Sequence, residues 1–307
     1  MWRTVTTSVI IVSYNTRDLL RECLRSFLAT QSGDYEIWVI DNSSSDGSAE
    51  MVEQEFPQVR LVKSEANLGF GKANNQLVAA SKSDHVLLIN PDTVLTEDIL
   101  GPMLDYLGAN PSVGIVGPKV ISADGSLQLS CERFPTLNYE LAWQVHGTFL
   151  GRLLRSDSTI DATRMECYDH ETPRRVDFLW ATCWLMRRQV IEQHGLFDET
   201  FHIYDEDLDY CARLASSDWE IHYFPLVSLV HLGGMSSTSL GKQIMMRRGR
   251  RIYYRQHGGW LYAAAYRADM LAFDVSKSAK HAILAVVGTD RPTHWQRAKD
   301  HARLAWS

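Results

Sequence analysis

The chain has 307 residues, 45% of them hydrophobic and 22% charged, with a formal net charge of −6 and a sequence pI near 6.0. That length suits one large domain or two smaller ones with a packed core, and the acidic balance disfavours nucleic acid as a partner of the whole surface. Five scattered cysteines (Cys23, Cys131, Cys167, Cys183 and Cys211) make no C-x-x-C pair, which points to a reducing cytosol and away from structural zinc, and no apolar run matches a signal core or a membrane span.

Ser8 to Ser13 (SVIIVS) is a β-branched run, as expected of a strand buried on both faces of a parallel sheet. Leu19, Leu20, Cys23, Leu24, Phe27 and Leu28 then mark one face of a helix. Strands follow at Glu36 to Ile40, Val59 to Val62 and Val86 to Ile89, with helices at Lys72 to Ala80 and Glu97 to Leu107. This alternation predicts an α/β fold built from right-handed βαβ units around a doubly wound sheet, whose ligands bind at the carboxyl ends of the strands. The polar residues there are Tyr14 and Asn15, then Asp41 and Asn42, then Asn90 and Asp92, so they are expected to line one crevice. The loop after the first strand, SYNTRD, has no glycine, which excludes the G-x-G-x-x-G phosphate loop of dinucleotide sites and leaves a nucleotidyltransferase without its glycine-rich loop.

Beyond Val113 to Ile121 the pattern becomes α+β. Asp124-Gly125 reads as a hairpin turn. Residues from about Pro135 to Pro173 are the least regular, with one helix expected near Tyr139 to Leu150 and a mobile wall over the site as one role. Val176 to Met186 is mostly apolar, and Arg187-Arg188 open a short helix that ends at Gly195. In that run Trp184 reads as core, while Trp180 is either core or a platform for a sugar ring. Glu220 to Phe224 and Val227 to Val230 read as two strands leading to His231 and the Gly233-Gly234 pair, which permits close backbone approach beside the histidine.

The densest chemistry lies at FDETFHIYDEDLD, where six of the 12 residues after Phe197 are carboxylates and aromatic residues alternate with them. Capping of a helix that begins near Asp205 explains one or two of these acids, since each gains about 0.3–1 kcal/mol there. A carboxylate kept partly dry can also act as a general base. Asp92 in NPDT is either a turn residue or, with an acidic centre and a histidine downstream, part of a site for a hard divalent ion. In the tail, Arg247, Arg248, Arg250, Arg251 and Arg255 fall within nine residues, interleaved with Tyr253 and Tyr254. They form either a solvated helix face or a site for an anionic lipid headgroup or lipid diphosphate, with the apolar helix Trp260 to Phe273 on a membrane surface.

Taken together, SYNT at Ser13, DNSSSDGS at Asp41, NLGFGKANN at Asn67, LLINPD ending at Asp92, FDETFHIYDEDLDYCAR from Phe197 and HLGG at His231 resemble the inverting family 2 glycosyltransferases of the GT-A fold, most of all their rhamnosyltransferase-like branch. The resemblance runs from Ser8 to Ser237 and implies a doubly wound, mostly parallel sheet with an α+β acceptor-side half. The implied division is a glycosyltransferase domain at 1–237 (nucleotide-sugar half 1–121, acceptor half 122–237) and a helical extension at 238–307. It implies that Asp41 contacts the nucleotide base with Ser13 and Asn15 nearby, and that Asn67, Asn90 and Asp92 belong to the nucleotide-sugar site. It also implies that Asp92 and His231 hold Mg²⁺ or Mn²⁺, that Asp207 is the catalytic base, and that Glu206 and Trp180 face the acceptor. The implied partners are a nucleoside diphosphate sugar, dTDP-rhamnose or a UDP-hexose, and a lipid-linked saccharide at the inner face of a bacterial membrane. A non-catalytic sugar-nucleotide-binding module is the contrasting expectation. Ala181-Thr182 stands where the pattern usually has Gly-Ala, which narrows the acceptor approach.

Overall fold

The computed structural model describes residues 7–146, 149–154, 156–165, 168–233, 240–288 and 290–306. Cys167 and Gly234, named above, lie outside them. Two compact units result, residues 1–134 with 164–235, and residues 135–163 with 236–307.

The first unit starts with β1 (Thr7–Ser13), α1 (Arg17–Thr30), β2 (Tyr35–Asp41), α2 (Ser48–Glu55), β3 (Arg60–Lys63), α3 (Phe70–Ala80), β4 (His85–Ile89), β5 (Thr93–Val94), α4 (Leu100–Ala109) and β6 (Val113–Ile121). β7 (Leu127–Gln128) closes the hairpin at Asp124-Gly125 against β6, pairing Val120 with Gln128, and β8 (Cys131–Glu132) follows. Gly125 takes φ +82 in that turn, a conformation that favours glycine. α5 (Leu137–Val145), α6 (Phe149–Leu153) and α7 (Ser156–Arg164) come next in the chain. Then come β9 (Arg174–Arg175), β10 (Phe178–Leu179), β11 (Cys183–Arg187), α8 (Arg188–His194), α9 (Glu206–Leu214) and β12 (Glu220–His231).

The main sheet runs β3-β2-β1-β4-β11-β6-β12-β5. β3, β2, β1 and β4 are mutually parallel, β11 lies antiparallel to both neighbours, and β12 returns parallel to β6. Because β2 and β4 flank β1 on opposite sides, the chain reverses direction across the sheet there, and the carboxyl ends of these strands open a crevice. β1 is buried along its whole length, as its continuous β-branched run requires. α1 covers it with Leu20, Cys23, Leu24 and Phe27, while Leu19 faces solvent instead of joining that stripe. Phe27 is fully buried, and truncating it to alanine removes about 3–5 kcal/mol.

Three expectations change. The segment from Pro135 to Pro173 carries three helices, and 135–163 cluster with the C-terminal residues. Glu220 to His231 is a single strand with a register shift between Phe224 and Ser228, where Glu97 Oε1 accepts the N–H of Ser228 at 2.8 Å. α4 starts at Leu100, which leaves Glu97 free of the helix for that task.

The second unit is helical. α10 (Leu240–Val287) breaks at Gly259, whose φ of 79 and ψ of 179 leave the helical region, and α11 (Arg291–Ala305) follows. α11 packs along α10, and α5 also lies against it. Glu140 of α5 accepts from Arg250 at 2.5 Å and from the Tyr254 hydroxyl at 3.1 Å, and buried Asp274 holds Arg247 and, at 2.9 Å, His301. These buried ion pairs pin the two arms of α10 and the flanking helices to each other. No helix among the described residues is long and apolar enough to cross a membrane.

Candidate active site

The crevice is framed by three loops tied together at one buried residue. Asn42, just past β2, donates its amide N–H₂ to Asn67 Oδ1 at 3.1 Å and to the Gly69 carbonyl at 3.2 Å, and its Oδ1 accepts from Leu68 N–H at 2.8 Å. Its backbone N–H reaches the Ser13 carbonyl at 2.8 Å, so the ends of β1 and β2 and the NLGFG loop move as one piece. Asn67 has its carboxamide oxygen committed here, since it also accepts from Gly69 N–H at 2.9 Å. The loop after β1 is joined to the serines after β2 by Asn15, whose N–H donates to Ser44 Oγ at 2.9 Å and whose Oδ1 accepts from Ser45 N–H at 2.8 Å. Asn15 holds φ 52 to do this, a conformation asparagine tolerates better than most residues.

Asp41 ends β2 opposite Ser13 of β1 in register. Its Oδ2 accepts from Ser44 N–H at 3.0 Å, while Oδ1 is buried with no hydrogen-bond partner among the described residues. An orphaned carboxylate oxygen of this kind is costly unless a ligand donor meets it.

Past β4, Asn90 donates its N–H to the Thr182 carbonyl at 3.0 Å. Two residues on, Asp92 faces His231, with Oδ1 3.3 Å from Nε2. β12 delivers that histidine by pairing His231 with Thr93 of β5. The ring is oriented by Gln128: His231 Nδ1 and Gln128 Oε1 are 2.9 Å apart, and Gln128 Nε2 donates to the His231 carbonyl at 2.9 Å. With Nδ1 turned to Gln128, Nε2 is the ring nitrogen that faces Asp92. Gly233 keeps the space beside the pair open, because a Cβ there falls 1.9 Å from Asp92 Oδ2 and 2.8 Å from His231 Nε2. A hard carboxylate oxygen and an imidazole nitrogen suit Mg²⁺ or Mn²⁺. No third His, Cys, Asp or Glu joins them among the described residues, so an ion held by this pair would need substrate phosphates or water to complete its ligands.

The acidic stretch divides its carboxylates among different tasks. Asp198 caps its own turn by accepting from Thr200 N–H at 2.8 Å. Asp209 is buried and paired with Arg213 at 2.9 Å, whose guanidinium also holds the carbonyls of His194 and Leu196. These two are scaffold. Tyr204 and Asp205 take φ 70 and 67 in succession, left-handed conformations that cost on the order of 1–3 kcal/mol each and aim the first turn of α9. The loop after Asn67 reaches this segment through Phe70 N–H, 2.9 Å from the His202 carbonyl, and Gly69 permits the approach because any Cβ falls 2.2 Å from that oxygen.

In that first turn Asp207 Oδ2 accepts from Ala181 N–H at 3.1 Å and Oδ1 from Leu208 N–H at 2.9 Å. Burial pushes its carboxyl up to about 6, against the pull of these two N–H groups. Glu206 is more deeply buried. Burial first and the charge of Asp207 second raise its carboxyl well above the usual range, and Oε2 has no partner among the described residues. Burial thus disfavours the charged form of Glu206, beside a carboxyl raised to about 6. Ala181-Thr182 bridges the two centres, since Thr182 receives Asn90 and Ala181 reaches Asp207. Trp180 is half-buried, with its backbone N–H on the Ser130 carbonyl at 2.8 Å, whereas Trp184 is fully buried against Phe197 and Tyr210, as core.

Residues 8–195 match the profile of Glycosyl transferase family 2. The chain belongs to that family. This glycosyltransferase is 30% identical over 234 residues to the N-acetylglucosaminyl-diphospho-decaprenol L-rhamnosyltransferase of Mycobacterium tuberculosis, a match covering 73% of this chain and 75% of that one. It is 24% identical to the rhamnosyltransferase WbbL of Escherichia coli, over 73% and 82% of the two chains. Among solved structures it resembles a mannosyltransferase of Pyrobaculum calidifontis in complex with GDP-Man and Mn²⁺, with a TM-score of 0.58 at 16% identity over 99% of this chain and 87% of that one. The fold is the expected α/β GT-A fold, and the glycosyltransferase is rhamnosyltransferase-like in its relatives.

Asn42 as the hub of three loops and Gln128 as the support of His231 escaped the sequence reading. The first was visible only as one polar residue in a crevice, and the second pairs across 103 residues with no local signal.

Proposed function

We propose that this glycosyltransferase moves a sugar, L-rhamnose from dTDP-rhamnose in the reading its relatives favour, onto a hydroxyl of a lipid-linked saccharide with inversion at the anomeric carbon. The observation that carries the reading is Asp207, a carboxylate fixed by two backbone N–H groups and raised by burial to about 6. At neutral pH it is ionised yet basic enough to accept a proton, the condition a general base needs. Asp207 takes the proton of the acceptor hydroxyl as that oxygen forms a bond to the anomeric carbon, and the bond from that carbon to the diphosphate oxygen breaks with its electron pair leaving on the diphosphate. Asp41, with one unpartnered oxygen, receives an N–H of the nucleotide base, beside Ser13 and Asn15. Asn67 and Asn90 act from the loops that shape the donor site. Asp92 and His231 would hold a divalent ion, which would supply positive charge against the departing diphosphate. Trp180 and Glu206 stand on the acceptor side, Glu206 as a neutral hydrogen-bonding acid. The enzyme works at the inner face of the membrane, where a lipid-linked acceptor is anchored.

The test is thermal stabilisation by a panel of nucleoside diphosphate sugars, each with Mg²⁺, Mn²⁺ or EDTA, followed by NMR assignment of the product anomer. A ligand at 100 times its Kd adds about 2.7 kcal/mol, a visible shift in Tm. The reading expects one donor to stabilise only with metal and the product to be inverted. Metal-independent stabilisation, or a retained anomer, contradicts it.

A further inference from the structure

Residues 240–306 carry 13 Lys and Arg against 4 Asp, a net +9 in a chain whose total is −6. Part of that charge is gathered on one shallow surface cleft of the helical unit, lined by Arg248, Arg251 and Arg267 with Tyr266, Met270 and Leu304. Arg247 at the same cleft is neutralised by Asp274. Arg248, Arg251 and Arg267 have no ion pair or hydrogen bond among the described residues. Three guanidinium groups gathered without a counter-charge repel one another and invite an anion from outside the chain. The guanidinium fork matches phosphate oxygens in particular.

The wall of the cleft is apolar, and the helix that bears it continues so. Along the second arm of α10, Trp260, Arg267, Leu271 and Val275 are spaced by seven, four and four residues, which puts them on one stripe. Trp260 is 72% exposed and Val275 55%. Large apolar side chains held in water beside an uncompensated cationic cleft are arranged as at a membrane interface.

We propose that this cleft is a headgroup site for a phosphate-bearing lipid, in which Arg248, Arg251 and Arg267 grip the phosphate while Trp260, Leu271 and Val275 enter the acyl boundary. The inference rests on the functional reading only in placing the enzyme at a membrane, and it assigns the helical unit a ligand of its own.

The experiment is co-sedimentation of the full chain with vesicles of phosphatidylcholine alone and of phosphatidylcholine with phosphatidic acid. Three proteins are compared: wild type, the triple variant R248Q/R251Q/R267Q, and K280Q/R297Q/K299Q, which removes the same charge from the same unit outside the cleft. Wild type binds the phosphatidic acid vesicles and leaves the neutral ones. The cleft variant loses about 100-fold, the change expected for three basic residues at about 1 kcal/mol each near an anionic surface, and the control variant keeps at least ten times more affinity than the cleft variant. Equal losses in the two variants mean diffuse attraction and overturn the site. Stabilisation by inorganic diphosphate without vesicle binding assigns the cleft to a soluble anion and overturns the lipid. Donor binding with no vesicle binding sinks this inference alone, and vesicle binding with no donor response sinks the functional reading alone.

Discussion

Asp207 and Asp92, the two carboxylates at the centre of the α/β unit, are held in opposite ways. Asp207 is pinned by backbone N–H groups at a helix start, behind two strained residues, and its proton affinity is set by burial. Asp92 lies on a loop, and its centre is shaped by a side-chain relay in which Gln128 turns His231 toward it and Gly233 leaves room. The difference matches two kinds of chemistry. A proton acceptor needs a tuned pKa, and tuning comes from low dielectric. A metal ligand needs direction and access, which come from hydrogen bonding and small residues.

Substitutions sharpen that contrast. Asp207→Asn keeps the shape and removes the proton acceptor, so turnover falls about 10²–10⁴-fold while the donor-induced Tm shift stays at its wild-type size. A variant that retains most of its rate ends the assignment of the base. Gly233→Ala acts on the other centre: its Cβ displaces Asp92 or His231, and overpacking of this sort weakens metal-dependent donor binding by about 1–3 kcal/mol, read by titration with and without EDTA. Gln128→Ala frees the His231 ring and lowers metal affinity about 10-fold, read as the higher metal concentration needed to reach the donor-induced Tm shift. The smallest effect belongs to Glu206→Gln. Burial disfavours the charged form of Glu206, so the isosteric amide leaves turnover near wild type, and a collapse in rate as deep as that of Asp207→Asn moves the base to Glu206.

Much of this was legible in the chain itself. Parallel strands buried on both faces leave continuous β-branched runs such as Val9 to Val12, and the turn residues after each strand fall at one end of the sheet by topology alone. Asp92, His231 beside its glycines and the acidic run after Phe197 stood out from the residues themselves, whereas Asp207 was singled out among those acids only by its place in the family pattern. What stayed hidden depends on partners far along the sequence. Asn42 looks like any strand-end polar residue until three loops converge on it, and the left-handed turn at Tyr204-Asp205 has no glycine to announce it. Helix α5 was expected near Tyr139 to Leu150, whereas α6 and α7 were missed because helices this short draw their stability from packing more than from their own sequence.

The most direct test of the central claim is the pH dependence of kcat/KM for sugar transfer by the wild-type enzyme. A base whose carboxyl is raised by burial must be deprotonated to act, so activity is full above neutrality and falls as the pH drops through about 6. The account predicts that acid limb, and its absence from the residual activity of Asp207→Asn. A profile that stays flat well below 6, or an acid limb that persists unchanged in the variant, contradicts it.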